Sequence, residues 1–138
     1  MRRVNIIVLF DEKKEDVLFC ERMKDPFKGL YNFVGGKREP GEDPLSSAYR
    51  ELEEETGIKK SQLDLHHIMD FKYYYHLGGQ VLEIFCGKID KSTPLQAELN
   101  PLYWFSVNED FTDDSKFAGA KNIAHIVLMA KEYLDSLN

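Results

Sequence analysis

The sequence predicts an α/β fold in which a mixed β-sheet lies between helices. Short apolar segments rich in β-branched residues indicate strands, and two longer segments with apolar residues at helical spacing indicate helices. Strand-like segments stand before, between and after the two helices, which favours helices on both faces of one mixed sheet. With 138 residues, 43% of them hydrophobic and 30% charged, the chain has the size and composition of one globular domain over residues 1–138.

The elements ahead of the first helix are predicted to be strands. Residues 4–10 and 17–22 are β-branched apolar segments joined by the charged segment 11–16. Residues 31–33 form a third, short strand after a loop that contains proline and glycine.

The first helix has clear ends. Asp43 is a good N-cap, Pro44 suits the first helical position, and Gly57 can take the left-handed conformation that ends a helix. The apolar stripe that would dock this helix on a core consists of Leu45, Ala48, Tyr49 and Leu52.

Beyond the helix, alternating apolar residues predict a hairpin over residues 63–89, with its turn at 77–80. Residues 92–101 are a loop, and 103–107 a short strand. The segment 109–119 is acidic, and we expect it to be mobile. Apolar residues from Ile123 to Leu137 keep a helical period and predict an amphipathic second helix.

The most informative feature is a group of three carboxylates near the end of the first helix. Glu51, Glu54 and Glu55 are spaced i, i+3 and i+4, so they share one helix face. They repel one another and stand near the negative end of the helix dipole. A hard divalent cation offsets this cost, and Mg²⁺ is usually held by a few carboxylates together with substrate phosphates. We therefore predict Mg²⁺, or Mn²⁺, as the cofactor.

The helix and the loop before it resemble the Nudix box, G-x5-E-x7-R-E-U-x-E-E-x-G-U, where U is a bulky aliphatic residue. The sequence matches at every specified position: Gly36, Glu42, Arg50, Glu51, Leu52, Glu54, Glu55, Gly57 and Ile58. This resemblance implies an α/β/α sandwich and a metal-dependent hydrolase that cleaves phosphoanhydrides of nucleoside diphosphate derivatives.

The resemblance also implies roles for the residues of the box. Glu51, Glu54 and Glu55 hold metal ions, and Glu51, oriented by Arg50, is our choice for the general base. Sequence alone does not separate it from Glu54 or from a loop acid such as Glu98. Glu42 supports the metal shell from the loop.

The glycine-rich loop ahead of the helix is predicted to bind phosphates. Gly36 lies among backbone N–H groups that can face phosphate oxygens, and Lys37 and Arg38 can neutralise them. Arg22, at the end of the second strand, stands where similar enzymes keep an arginine near the phosphates; the alternative is a surface charge.

Outside the box the chain looks most like the MutT-type branch, which cleaves nucleoside triphosphates. Residues 32–37 resemble its (N/E)-F-P-G-G-K approach, with Val34 where proline is common. Glu98 would supply a further metal ligand from a loop, or be a solvated carboxylate. Asn122 would read a purine edge, or be a plain N-cap. Phe33 could offer its ring to the same base.

Two alternatives to a triphosphate-cleaving enzyme follow from the sequence. Tyr73, Tyr74 and Tyr75 lie where dinucleoside-polyphosphate (Ap4A-type) hydrolases of the family carry a base-stacking tyrosine, and Tyr73 is our candidate. A binding module that keeps the fold without turnover is the other alternative, although its carboxylates would be expected to degenerate. Lys72 occupies the place of a proline that marks the ADP-ribose branch, which argues against that substrate.

Composition limits the partners. The net charge of −6 disfavours duplex nucleic acid and anionic membranes, and no apolar segment approaches the roughly 18 residues of a membrane span. Cys20 and Cys86 have no metal-binding spacing, which favours reduced thiols and a cytoplasmic location. We expect a monomer or homodimer acting on a small nucleotide. The histidines show no ligand spacing and are predicted to be structural or solvated: His66, His67, His76 and His125.

Overall fold

A computed structural model of the protein describes residues 1–74, 78–119 and 122–137. Within these residues the helices are α1 (Pro44–Thr56) and α2 (Ile123–Ser136), and a short 3₁₀ turn spans Lys60–Gln62. The strands are β1 (Arg2–Asp11), β2 (Asp16–Glu21), β3 (Tyr31–Asn32), β4 (His66–Tyr73), β5 (Gln80–Ile89) and β6 (Leu102–Ser106).

The strands form one mixed sheet, in the order β3-β2-β1-β5-β4, with β6 also paired to β2. β1 and β5 run parallel along their full length, and the other neighbours are antiparallel. The predicted hairpin is β4–β5. Its first strand begins at His66 rather than residue 63, because the 3₁₀ turn and two buried leucines, Leu63 and Leu65, precede it. Tyr75, His76 and Leu77, in the predicted turn region, lie outside the described residues.

Each face of the sheet buries an apolar layer against one helix, so the predicted α/β/α arrangement is confirmed. Alternate residues of β1 point to opposite faces, as strand geometry requires. Ile7 and Leu9 face α1, where they join Ala48 and Leu52. Val8 and Phe10 face α2 and belong to a second layer. The α2 residues of that layer are Ile123, Ile126, Val127, Ala130 and Leu134.

Local capping chemistry sets the ends of α1. The Asp43 Oδ1 accepts a hydrogen bond of 2.8 Å from the Ser46 N–H. Gly57 adopts a left-handed φ of 79°, and its N–H donates to the Glu53 carbonyl. Both predicted ends of the helix are therefore confirmed.

The segment 109–119 differs from the sequence-based expectation of a mobile acidic loop. Phe111, Phe117 and Ala118 are buried, and the two phenylalanine rings pack edge to face with centroids 5.2 Å apart. The Ala118 N–H also donates to the Tyr31 carbonyl at 2.9 Å. The many charged residues of the segment predict a solvent-exposed loop. Burial of its aromatic side chains instead fixes the segment against the core.

Cys20 and Cys86 are both buried free thiols, as predicted for small apolar side chains. Burial raises the pKa of each thiol to about 12. Among the described residues, neither helix has the length and apolar content that a transmembrane helix requires.

Candidate active site

The loop before α1 is fixed to the first strand by backbone hydrogen bonds. The Ile7 N–H donates to the Val34 carbonyl at 2.9 Å, and the Asn5 N–H donates to the Gly36 carbonyl at 2.8 Å. Residues 34–37 therefore extend the sheet next to the first half of β1. This pairing positions the glycines beside the glutamate face of α1.

A buried amide links this loop to the helix. Asn5, which is fully buried, accepts a hydrogen bond at Oδ1 from the Gly36 N–H and donates from Nδ2 to the Ser47 hydroxyl, each at 3.0 Å. Ser47 is also fully buried. Neither residue is among the predicted site residues, although a single asparagine inside an apolar strand is an available signal.

Gly35 and Gly36 lie so close to neighbouring atoms that neither position has space for a side chain. A Cβ atom on Gly36 would lie 2.5–2.6 Å from the Glu51 carboxyl group, so this position has space only for hydrogen. Gly35 has φ +142°, and a Cβ there would lie 2.1 Å from the Asn5 carbonyl oxygen. The predicted phosphate-binding glycine, Gly36, thus also sets the position of Glu51.

Arg50 is the centre of a network of carboxylates. Its Nε and one terminal nitrogen donate to both oxygens of Glu42, at 2.7 and 2.9 Å. The other terminal nitrogen donates to Glu51 at 3.1 Å and to Glu54 at 3.2 Å. The Lys37 carbonyl accepts a further bond. Hydrogen bonds from Arg50 lower the pKa of Glu42 to about 2, and those carboxylates raise the pKa of Arg50.

Glu55 lies deeper in the site. Burial raises its pKa to about 7, a Gly35 N–H bond of 3.0 Å opposes this rise, and the negative charges of Glu51 and Glu98 add to it. Arg22 acts in the lowering direction. Burial is also the main cause of the raised pKa of Glu51. Acidic groups of α1, Glu51 and Glu55, thus lie near Glu98 of a distant loop, and the charge of Arg22 acts on Glu55 as well.

A cavity opens beside Glu55. Its lining residues are Cys20, Glu55, Glu98, Leu99, Asn100 and Leu102. Glu98, predicted from the sequence as a loop acid of the site, is therefore on the cavity wall. The Asn100 Oδ1 accepts a hydrogen bond of 3.1 Å from the Met23 N–H, which ties the Glu98 loop to the loop that follows Arg22.

Two predicted substrate residues have other surroundings than expected. Phe33 is 5% exposed, and its ring stacks on Phe19 with centroids 4.9 Å apart. The Phe33 ring therefore has no free face on which a nucleotide base could stack in this structure. We correct the prediction that Phe33 contacts the base, because the ring is part of the apolar core. Arg38 lies 3.6 Å from the buried Glu83 carboxylate, whereas the Lys37 side chain is exposed.

Asn122 and Tyr73, both predicted to contact the nucleotide, are in contact with each other. The Asn122 Nδ2 donates to the Tyr73 hydroxyl, and the Asn122 side chain makes no capping bond to α2. Asn122 is the N-cap residue of α2 by position, and its backbone carbonyl accepts a hydrogen bond of 3.0 Å from the Ile126 N–H, but its side chain bonds to Tyr73 instead of capping the helix. Tyr74 follows the end of β4 and is 66% exposed.

The donor set fits a hard divalent cation. Glu51, Glu54, Glu55 and Glu98 offer carboxylate oxygens, the ligands that Mg²⁺ and Mn²⁺ prefer. In this conformation Arg50 holds Glu51 and Glu54, and the Gly35 N–H holds Glu55. An ion bound here would replace part of these contacts.

Comparison with known proteins agrees with this geometry. The NUDIX domain family matches residues 1–125. The chain is 42% identical over 60 residues to an RNA pyrophosphohydrolase from Pelagibacter ubique, covering 44% of this chain and 36% of that protein. It is 35% identical over 78 residues to an octanoyltransferase from Myxococcus xanthus, covering 56% of this chain and 21% of that protein. The chain thus spans about a third or less of the length of these curated relatives.

Solved structures show the same fold. A C. elegans Ap4A hydrolase superposes with a TM-score of 0.78 and 19% identity, covering 99% of both chains. At this identity the likeness concerns the fold. The family match covers most of the chain and includes the complete carboxylate motif, so the protein belongs to the Nudix family.

Proposed function

We propose that residues 1–138 act as one Mg²⁺-dependent domain that hydrolyses a (deoxy)nucleoside triphosphate to the monophosphate and pyrophosphate. Oxidised nucleotides of the 8-oxo-dGTP type belong to this substrate class. The observation that carries the proposal is the arrangement of the carboxylates: Glu55 and Glu98 line one cavity, and Glu51 and Glu54 share the Arg50 network on the same helix. A site with so many acidic groups is complementary to a cation that brings phosphates with it.

The cation would be held by Glu51, Glu54, Glu55 and Glu98. When bound, Mg²⁺ neutralises charge on phosphate oxygens and lowers the pKa of a bound water. Mn²⁺ can supply the same chemistry.

The chain's own residues would orient and deprotonate the attacking water. Glu51 is our choice for the general base, because Arg50 and the Gly36 backbone fix the position of its carboxyl group. Arg50 binds it at 3.1 Å and fixes its orientation, while Glu42 holds Arg50 through both oxygens. Arg22 and Lys37 would contact the phosphates. Of these two cations, Arg22 is the one whose charge lowers the pKa of Glu55.

The Asn122–Tyr73 pair supports a role in base recognition. These side chains come from α2 and from the end of β4, two elements that the sequence separates by 49 residues. An amide can both donate and accept, so Asn122 could exchange its bond to the phenol for bonds to a purine edge. Tyr73 also supports the alternative, an Ap4A-type hydrolase in which this ring stacks on a base.

A nucleotide panel with chromatographic identification of products tests the proposal. With millimolar Mg²⁺, a nucleoside triphosphate should yield monophosphate and pyrophosphate, and diadenosine tetraphosphate should react markedly more slowly. A higher kcat/KM for the dinucleotide, removed by Tyr73→Ala, would establish the alternative. Nucleotide binding without turnover of any compound would establish a non-catalytic module.

A further inference from the structure

A second group of metal-binding side chains lies on the β4–β5 hairpin. A ring nitrogen of His67, a carboxylate oxygen of Asp70 and a carboxylate oxygen of Glu83 all lie within 4.8 Å of one another. The Nudix carboxylates lie on α1 and on the loop at Glu98, whereas this group lies on β4 and β5, the last two strands in the sheet order. We call it the hairpin cluster.

A β-bulge creates this group. In a regular strand, residues three apart point to opposite faces, so His67 and Asp70 would not meet. The pairing with β5 shifts between His67 and Met69, which leaves Ile68 as an extra residue. His67 then lies opposite Phe85, and Asp70 lies opposite Glu83. Both side chains consequently face the same side of the sheet.

Glu83 supplies the observation that points to a ligand. The residue is 1% exposed, and its Oε1 has no hydrogen-bond partner among the described residues. Its Oε2 lies 3.6 Å from a terminal nitrogen of Arg3 and 3.6 Å from one of Arg38. A buried carboxyl oxygen without a hydrogen-bond partner is costly, and coordination of a cation would satisfy it.

His67 and Asp70 provide an accessible side of the cluster. The His67 Nε2 lies 2.6 Å from the Asp70 Oδ1, and the two side chains are 34% and 45% exposed. The imidazole stacks on the Phe85 ring, with centroids 4.5 Å apart and an interplanar angle of 23°. This packing fixes the ring orientation before any ion binds, which limits the ordering that binding requires.

We propose that His67, Asp70 and Glu83 form a binding site for a divalent transition-metal ion such as Zn²⁺, separate from the Nudix carboxylates. One imidazole and two carboxylates suit Zn²⁺, whereas Mg²⁺ prefers oxygen ligands alone. Three protein ligands leave a coordination position open to water. Repulsion from Arg3 and Arg38 makes this site weaker than a closed structural zinc site. The proposal does not depend on the nucleotide substrate.

Isothermal titration with Zn²⁺, in the absence of nucleotide, tests this site. With millimolar Mg²⁺ present to occupy the Nudix carboxylates, we expect one Zn²⁺ per chain in the wild type, and at least a tenfold weaker Kd in His67→Ala and in Asp70→Asn. Both positions are partly exposed, so these variants should keep the fold, which circular dichroism checks. His66→Ala is the matched control, because His66 lies on the other face of β4 beside Tyr133. Its Kd should equal that of the wild type.

Two further arms separate this site from the Nudix carboxylates. Glu54→Gln should leave the Zn²⁺ affinity unchanged, and excess Mg²⁺ should displace the bound Zn²⁺ poorly. With the Nudix carboxylates occupied by millimolar Mg²⁺, Co²⁺ bound to the wild type should show a visible d–d spectrum that His67→Ala abolishes. The proposal is overturned if Zn²⁺ does not bind, if His67→Ala binds it as tightly as the wild type, or if Glu54→Gln removes the binding.

Discussion

Gly36→Ala is a direct test of the link between the glycine loop and the carboxylate site. The new Cβ would lie 2.6 Å from both Glu51 oxygens. The carboxylate must therefore withdraw by about 0.8 Å to reach an ordinary van der Waals separation of roughly 3.4 Å. Misplacing a catalytic group by about 1 Å can lower the rate about 10²-fold. We expect a loss of that size in kcat/KM for the preferred nucleotide.

The loss of stability in this variant should be modest enough for the protein to remain folded. The clash falls on the end of a flexible side chain, so we expect it to lower the free energy of unfolding by at most about 1–3 kcal/mol. Gly41→Ala is the matched control: Gly41 has φ +88° and no atom within 4 Å of the new Cβ. That variant should lose roughly 1–2 kcal/mol to backbone strain and keep its activity.

Steady-state kinetics and urea unfolding of both variants show whether the loss of activity comes from the position of Glu51 or from lower stability. The reasoning is refuted if Gly36→Ala hydrolyses the nucleotide within about threefold of the wild type rate. It is also refuted if Gly41→Ala loses as much activity as Gly36→Ala, because the effect would then follow stability rather than the position of Glu51.

Three other predictions concern single side chains. Asn122→Ala should raise KM for the preferred purine nucleotide roughly tenfold and leave pyrimidine nucleotides unaffected, since a lost buried hydrogen bond costs about 1–3 kcal/mol; an equal effect on both classes would contradict base recognition. Cys20 and Cys86, whose pKa values burial raises to about 12, should react with a thiol reagent at pH 8 only after unfolding; rapid labelling of the native protein would contradict their burial. Glu42 has its pKa lowered from 4.5 to about 2 by Arg50, so its contribution to stability is complete above pH 4.5 and lost as the pH falls toward 2. Glu42→Gln should therefore show a smaller stability loss than the wild type between pH 6 and pH 3, as measured by urea unfolding.

Features governed by local chemistry could be predicted from the sequence. Asp43 and Gly57 mark the ends of α1 because capping depends on a few neighbouring residues. The carboxylates of α1 could be placed on one face because helical spacing is regular. Glu98 was placed near them through family resemblance alone, since no periodicity connects a loop to a helix more than forty residues away.

Features governed by long-range packing could not be predicted in this way. Asn5 and Glu83 were visible as polar residues in apolar strands, but their partners depend on strand order and on the path of the loop. The His67–Asp70 contact depends on a bulge that regular alternation excludes. Phe33 was assigned to the substrate because the sequence does not show which aromatic residues the core will take.

The central claim is that the carboxylate cluster of α1 supports phosphoanhydride hydrolysis. The most direct measurement compares Mg²⁺-dependent hydrolysis of a nucleoside triphosphate by the wild type, Glu54→Gln and Glu53→Gln. Glu53 is an exposed glutamate of the same helix outside the Arg50 network and serves as the control. We predict that Glu54→Gln lowers kcat by at least about 10²-fold, that Glu53→Gln has wild-type activity, and that excess EDTA abolishes turnover. Unimpaired turnover by Glu54→Gln, or activity in excess EDTA, would contradict the claim.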